Sequence, residues 1–179
     1  LLSPAFLHAQ ERTQPVSLEE IVVTTGFREN FLMNTSASVS VIDEAVIEDR
    51  GAQHLEEVLN TSANINYSSG GSRARFLQVR GIGDLEQFVD PKHFPSVGIT
   101  VDEINLGGMV NSAMLFDVEQ VEILRGPQGT RFGGSALAGM VNIRGNRPTE
   151  MLEGSVEAGV GNYGSWNVGG VISGALSDA

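Results

Sequence analysis

The sequence predicts an α+β chain: a small mixed-sheet domain with short helices, followed by the first hairpin of a larger β-structure. Three observations predict it. Between Ser38 and Asn60 a β-prone run gives way to two short helical segments with end signals. The stretch VEQVEILRGPQGTRFGGSALAGMVNIR, residues 118–144, joins a period-two apolar strand to a second apolar strand through a glycine-dense turn. After Pro148 the composition changes to small, apolar and polar residues in alternation.

Composition narrows the function classes. The 179 residues suit one domain of ordinary size, and a hydrophobic fraction of 41% can build its core. A formal charge of −11 argues against nucleic acid, which is bound by Lys and Arg neutralising phosphates. The absence of cysteine excludes disulfides, thiolate metal sites and cysteine nucleophiles within these residues. No stretch reaches the roughly 18 apolar residues of a spanning helix.

In chain order, LLSPAFLHA (residues 1–9) reads as the tail of a secretory signal with cleavage after Ala9. Residues 10–37 read as a flexible leader, in which FRENFLMNTSAS shows no helical or strand period. Within it, Glu20, Ile21, Val22, Val23, Thr24 and Thr25 form a β-prone hexamer. Such a segment either adds to the edge of another protein's sheet or forms the first strand of the domain that follows.

The domain proper is expected over residues 38–149. Val39 and Val41 mark a strand, Asp43 an N-cap, Glu44 to Arg50 a helix and Gly51 its end. A second helix is expected from Leu55 to Asn60. The carboxylates of Asp43, Glu44, Glu48, Asp49, Glu56 and Glu57 lack metal-ligand spacing and read as solvated helix faces. Phe76 to Arg80, Val97 to Val101, Val118 to Arg125 and Met140 to Arg144 supply strands, with a turn at Asp102 and Glu103. Two connections, residues 66–75 and 82–96, are too long for economical turns, and long loops often carry function. Their Tyr67, Arg73, Arg75, Phe88, Lys92 and His93 are chemically suited to contact a ligand. The glycines from Gly126 to Gly139 resemble a phosphate cradle, but no GK[ST] or G-x-G-x-x-G completes it. No Ser/His/Asp or Cys/His constellation supports catalysis, and no metal or cofactor is expected.

Residues 150–179 carry the last signal. Val156, Ala158 and Val160 share one face of a strand, Trp166, Val168 and Gly170 one face of the next, and Asn162 to Gly164 form the turn between them. Weakly apolar alternation with aromatics near the turn is the pattern of transmembrane β-barrel strands. Two strands cannot close a barrel, so this end reads as the truncated opening of one.

The order EEIVVTT, SVSVIDEAVIEDRG, LEEVLNTSANI, FLQVRGIG, VGITVDEI, VEQVEILRGPQGTRFG, SALAGMVNI and a barrel-like hairpin resembles TonB-dependent outer-membrane receptors across nearly the whole chain. RGPQGTRFG followed by SALAGMVNI and Arg147, Pro148, Thr149 is the most specific part. Asp102-Glu103 departs from the family's common Asp-Gly, and Thr25-Gly26 from its usual Ala before a polar residue. The resemblance implies that residues 20–25 are the box that pairs with the periplasmic protein TonB, that 38–149 are the plug, and that the barrel enclosing it lies outside this chain. It further implies that Arg80 and Arg125 dock the plug on acidic residues of the barrel wall, two salt bridges within the plug being the alternative.

The function so implied is not enzymatic. It is energised uptake of a scarce nutrient, a ferric siderophore or similar metal chelate, across the outer membrane, with plug and box facing the periplasm. Ile21→Pro or Val22→Pro is then expected to spare ligand binding and abolish uptake, because proline removes a ladder N–H. A free-standing periplasmic binding or signalling module built on the plug is the alternative reading. A nucleotide-dependent enzyme using the glycine turn is the weakest.

Overall fold

Asp43 shows how the sequence switches element type. Strand β3 (Ser38–Asp43) ends there. The Asp43 carboxylate accepts from the Val46 N–H at 3.0 Å, satisfying one of the donors that a first helical turn leaves open. Helix α1 (Glu44–Asp49) follows, and Gly51, at φ +58°, closes it in a conformation that glycine adopts at little cost. Helix α2 (Leu55–Leu59) begins where Glu57 Oε2 accepts from the Gln53 N–H at 2.7 Å and the His54 N–H at 3.3 Å.

The computed structural model describes residues 21–25, 28–35, 37–68, 76–83, 95–105 and 114–175. They divide into two compact units, 1–35 and 36–179. The first holds strands β1 (Val22–Thr25) and β2 (Arg28–Phe31), paired antiparallel, and a 3₁₀ turn at Leu32–Asn34.

The second unit holds the remaining elements. Beyond β3, α1 and α2 these are β4 (Ile65–Ser68), β5 (Phe76–Val79), β6 (Ile82–Gly83), β7 (Val97–Val101), β8 (Ile104–Asn105), β9 (Val118–Arg125), the short helix α3 (Gly129–Phe132), β10 (Gly139–Gly145), β11 (Glu153–Val160) and β12 (Trp166–Ser173). The central sheet runs β3-β9-β10-β7-β8. It is mixed, because β7 and β10 are parallel while its other pairs are antiparallel. A second sheet is β4-β5-β6, and β11-β12 stand as a hairpin.

One face of the central sheet carries the core. Ile42, Ile99, Val121, Ile123, Val141 and Ile143 pack with Ile47, Leu55, Val58 and Leu59 from the two helices. Each such side chain contributes about 1.5–3 kcal/mol by leaving water. The expected α+β class therefore holds: a small mixed sheet with short helices, then one hairpin.

The structure adds elements that the pattern did not show. Arg28–Phe31, irregular by sequence, is a strand because its backbone pairs with β1 while its side chains carry no apolar period. β6 and β8 are two residues each and exist through their turns. Arg80-Gly81 and Asp102-Glu103 all hold positive φ, the geometry of tight hairpin loops.

Candidate functional site

The β-prone hexamer occupies β1. Val22, Val23, Thr24 and Thr25 lie opposite Phe31, Asn30, Glu29 and Arg28. The Leu32 N–H donates to the Ile21 carbonyl at 2.8 Å, extending the ladder by one residue. Ile21 and Val22 are half-buried, and Val23 is buried completely. Glu20 lies outside the described residues.

Arg80 and Arg125 converge although 45 positions separate them. Arg125 ends β9, opposite Ser38 in the β3 register. It donates through Nη1 to Ser40 Oγ at 2.8 Å and through Nη2 to the Ala63 carbonyl at 3.3 Å. Arg80 donates through Nη2 to Ser38 Oγ at 3.2 Å. Burial, and then repulsion from Arg80, push the Arg125 guanidinium below its usual pKa. Both cations are thus held by neutral oxygens, and among the described residues neither meets a carboxylate. The alternative of two salt bridges inside the domain is not what the described residues form.

Of the ligand-contact candidates, Tyr67 is described. It sits on β4 with its ring partly exposed, and its hydroxyl accepts from Asn60 Nδ2 at 3.1 Å. Arg73, Arg75, Phe88, Lys92 and His93 lie outside the described residues.

In the glycine-dense turn two N–H groups are used within the loop: Gly126 donates to Ala138 O at 3.0 Å and Gln128 to Ala136 O at 2.8 Å. Gly126 holds φ +98°, and a Cβ on Gly139 would lie 2.6 Å from the Leu124 carbonyl. These glycines serve a turn and a close strand contact.

Sequence reasoning missed the second face of the central sheet. Glu122, Asn142 and Thr100, from three adjacent strands, are all buried. Thr100 Oγ1 donates to Asn142 Oδ1 at 2.8 Å, Asn142 Nδ2 to Glu122 Oε2 at 3.3 Å, and Gln120 Nε2 to Glu122 Oε1 at 2.7 Å. Arg144 Nε lies 3.1 Å from Glu119 and its Nη1 4.0 Å from Glu122. The signal was present in the register, which sets Asn142 opposite Glu122 and Arg144 opposite Gln120. A strand that sets Gln120 and Glu122 between Val118, Val121 and Ile123 instead suggests a solvated polar face.

The β11-β12 hairpin is two-faced. Its register pairs Gly154 with Ile172, Val156 with Gly170, Ala158 with Val168 and Val160 with Trp166. All of these project to one side, whereas Glu157, Ser155, Asn167 and Ser173 project to the other. The apolar side faces outward: Val156 is 81% exposed, Val160 93% and Trp166 75%. Alternation of an exposed apolar face with a polar one is the pattern expected of membrane barrel strands.

A small mixed-sheet domain leading directly into an amphipathic hairpin is the architecture of a plugged outer-membrane β-barrel. The model of the TonB-dependent Receptor Plug Domain matches residues 32–140, more than half of the chain, and the chain belongs to that family. Its members are transport receptors, not enzymes. The chain is 28% identical to the pesticin receptor of Yersinia enterocolitica over 179 residues, which is 99% of this chain and 26% of that protein. It is 32% identical to the vitamin B12 transporter BtuB of Vibrio vulnificus over 160 residues, 87% of this chain and 25% of that protein. The ferric yersiniabactin uptake receptor FyuA of Yersinia pestis superposes with a TM-score of 0.71 at 27% identity, covering 80% of this chain and 22% of FyuA. The ferripyoverdine receptor of Pseudomonas aeruginosa shares the fold, with a TM-score of 0.72 at 21% identity over 88% of this chain and 20% of that receptor. The chain thus spans about a quarter of the length of the curated relatives it matches.

Proposed function

We propose that this chain is the plug and energy-coupling portion of an outer-membrane receptor that takes up a ferric siderophore or a similar metal chelate. The observation that carries the proposal is the plug-family match followed by an amphipathic hairpin whose apolar face is exposed. A neighbour described as a ferric yersiniabactin uptake receptor favours a ferric chelate, and relatives described as vitamin B12 transporters supply the competing substrate. A free-standing periplasmic module would leave that hairpin face in water.

Within this reading, residues 38–149 are the plug, 150–179 begin the barrel, and residues 20–25 are the periplasmic box that pairs with TonB by strand addition. Arg80 and Arg125 dock the plug on carboxylates of the barrel wall. Their neutral surroundings support this: two close guanidiniums repel one another, and a carboxylate between them offsets that cost. Tyr67, Arg73, Arg75, Phe88, Lys92 and His93 are the ligand-contact candidates. Traction on the box opens part of the plug locally, which costs less than unfolding the whole.

Binding of ferric chelates and of cobalamin to the full-length receptor tests the substrate. The proposal expects saturable binding of a ferric chelate and loss of iron-limited growth when the gene is deleted. Binding of cobalamin alone would contradict the assignment to a ferric chelate.

A further inference from the structure

We propose that Phe116 is the stop of a hydrated crevice between the plug and the first barrel hairpin, an aromatic constriction that closes this path to small cations. This rests on the reading of residues 150–179 as the opening of a barrel.

The crevice follows the polar side of the hairpin. Along β12, Asn167, Gly169, Val171 and Ser173 are half-buried while the residues between them are exposed. The polar side is therefore the one that the plug covers. Two cavities of about 460 and 320 Å³ lie along it, and they share Glu44, Asp117, Asn146, Ser155 and Val171. The first begins at the Glu153/Ser173 pair, and the second reaches Glu157 and Gly170. Their walls carry Glu44, Glu48, Asp117, Glu153 and Glu157 against one cation, Arg147, among the described residues. Such an excess of carboxylates draws in water and cations.

The path ends on a ring. Gly169 lies opposite Glu157, and the Phe116 ring sits so close there that a Cβ on Gly169 would overlap it. The missing side chain is the notch that admits the ring. The backbone on either side of Phe116 is fixed. Leu115 is buried, and its N–H donates to the Gln53 carbonyl at 2.9 Å. Asp117 is held at φ +54°, a conformation that persists in a non-glycine residue when its surroundings enforce it. Asn146 enforces it, donating its N–H to the Asp117 carbonyl at 3.1 Å and its Nδ2 to Asp117 Oδ1 at 3.0 Å. Phe116 itself is 44% exposed and stands outside the packed core. What its fixed seat secures is a position on the hairpin wall and not burial. An apolar ring across a narrow hydrated path closes it by excluding water.

The test is ion conductance of the full-length receptor in planar lipid bilayers bathed in potassium chloride. Phe116→Ala is expected to raise conductance at least about fivefold, with potassium favoured over chloride. Phe116→Tyr keeps the ring and is expected to stay as closed as the parent. General loosening of the plug is told apart by combining Phe116→Ala with Glu157→Cys, since these residues hold no native cysteine. A cationic thiol reagent is expected to block the added conductance of that double variant and to leave Phe116→Ala alone unchanged. Conductance of Phe116→Ala equal to the parent's, or a leak that the reagent does not block, would overturn the proposal. The barrel reading is judged apart from it: a parent receptor that fails to insert into lipid vesicles refutes that reading, whereas normal insertion with a tight Phe116→Ala variant refutes the stop alone.

Discussion

Glu122 carries no exposed surface, yet it accepts from Gln120 and Asn142 and lies near Arg144. Glu122→Ala leaves those buried donors unsatisfied and costs about 3 kcal/mol. Hydrogen exchange at the amides of β9 and β10 should accelerate about a hundredfold, since about 1.4 kcal/mol is a factor of ten. Unchanged protection would show that the network carries no stability. At Arg125, by contrast, the described contacts are with a hydroxyl and a carbonyl, and the partner that matters is proposed to lie on the barrel. Arg125→Ala is expected to let urea extract the plug from the full-length receptor at a lower concentration, read by proteolytic accessibility. At this scale the sequence was only partly legible. The two arginines stand out as charged residues flanking glycine turns, whereas Ser38 and Ser40 carry no signal until folding places their hydroxyls against those guanidiniums. Glu122 misleads for a related reason: whether the second face of a strand meets water depends on what covers it, which alternation alone does not record.

At the scale of elements, the two-faced hairpin makes the sharpest prediction. Val156 projects to the apolar side and lies midway along β11, so Val156→Arg should cost about 2–4 kcal/mol on insertion, the value for the bilayer midplane. Ser155→Arg, one residue away on the other face, should be tolerated. Folding yields of the two variants into lipid vesicles compare them directly, and equal yields would contradict the assignment of faces. The long strands and helix α1 were legible because periodicity and end signals agree at Asp43, Gly51, Val118–Arg125 and Trp166–Ser173. β2, β6 and β8 were not. They are held by register and by turn residues at positive φ, not by an apolar repeat. The glycine turn lies between these cases: its residues are conspicuous, but only the inward hydrogen bonds of Gly126 and Gln128 show that it ties the ends of its two strands together.

At the scale of the whole molecule, the chain joins three physically different pieces. A marginal two-stranded hairpin precedes a plug with a packed core and a buried polar network, and an amphipathic β-hairpin follows. The proposed function assigns them traction, closure and membrane insertion. Coupling then depends on a backbone ladder at the box and not on the ligand surface, so binding and uptake should separate cleanly. The direct measurement is ferric-chelate binding alongside energised uptake in cells carrying the full-length receptor with Val22→Pro and Val23→Pro. The account predicts binding within about twofold of the parent, since β1 lies outside the plug's central sheet, and uptake reduced to the level of cells without TonB. Uptake at the parental rate in that variant would contradict it.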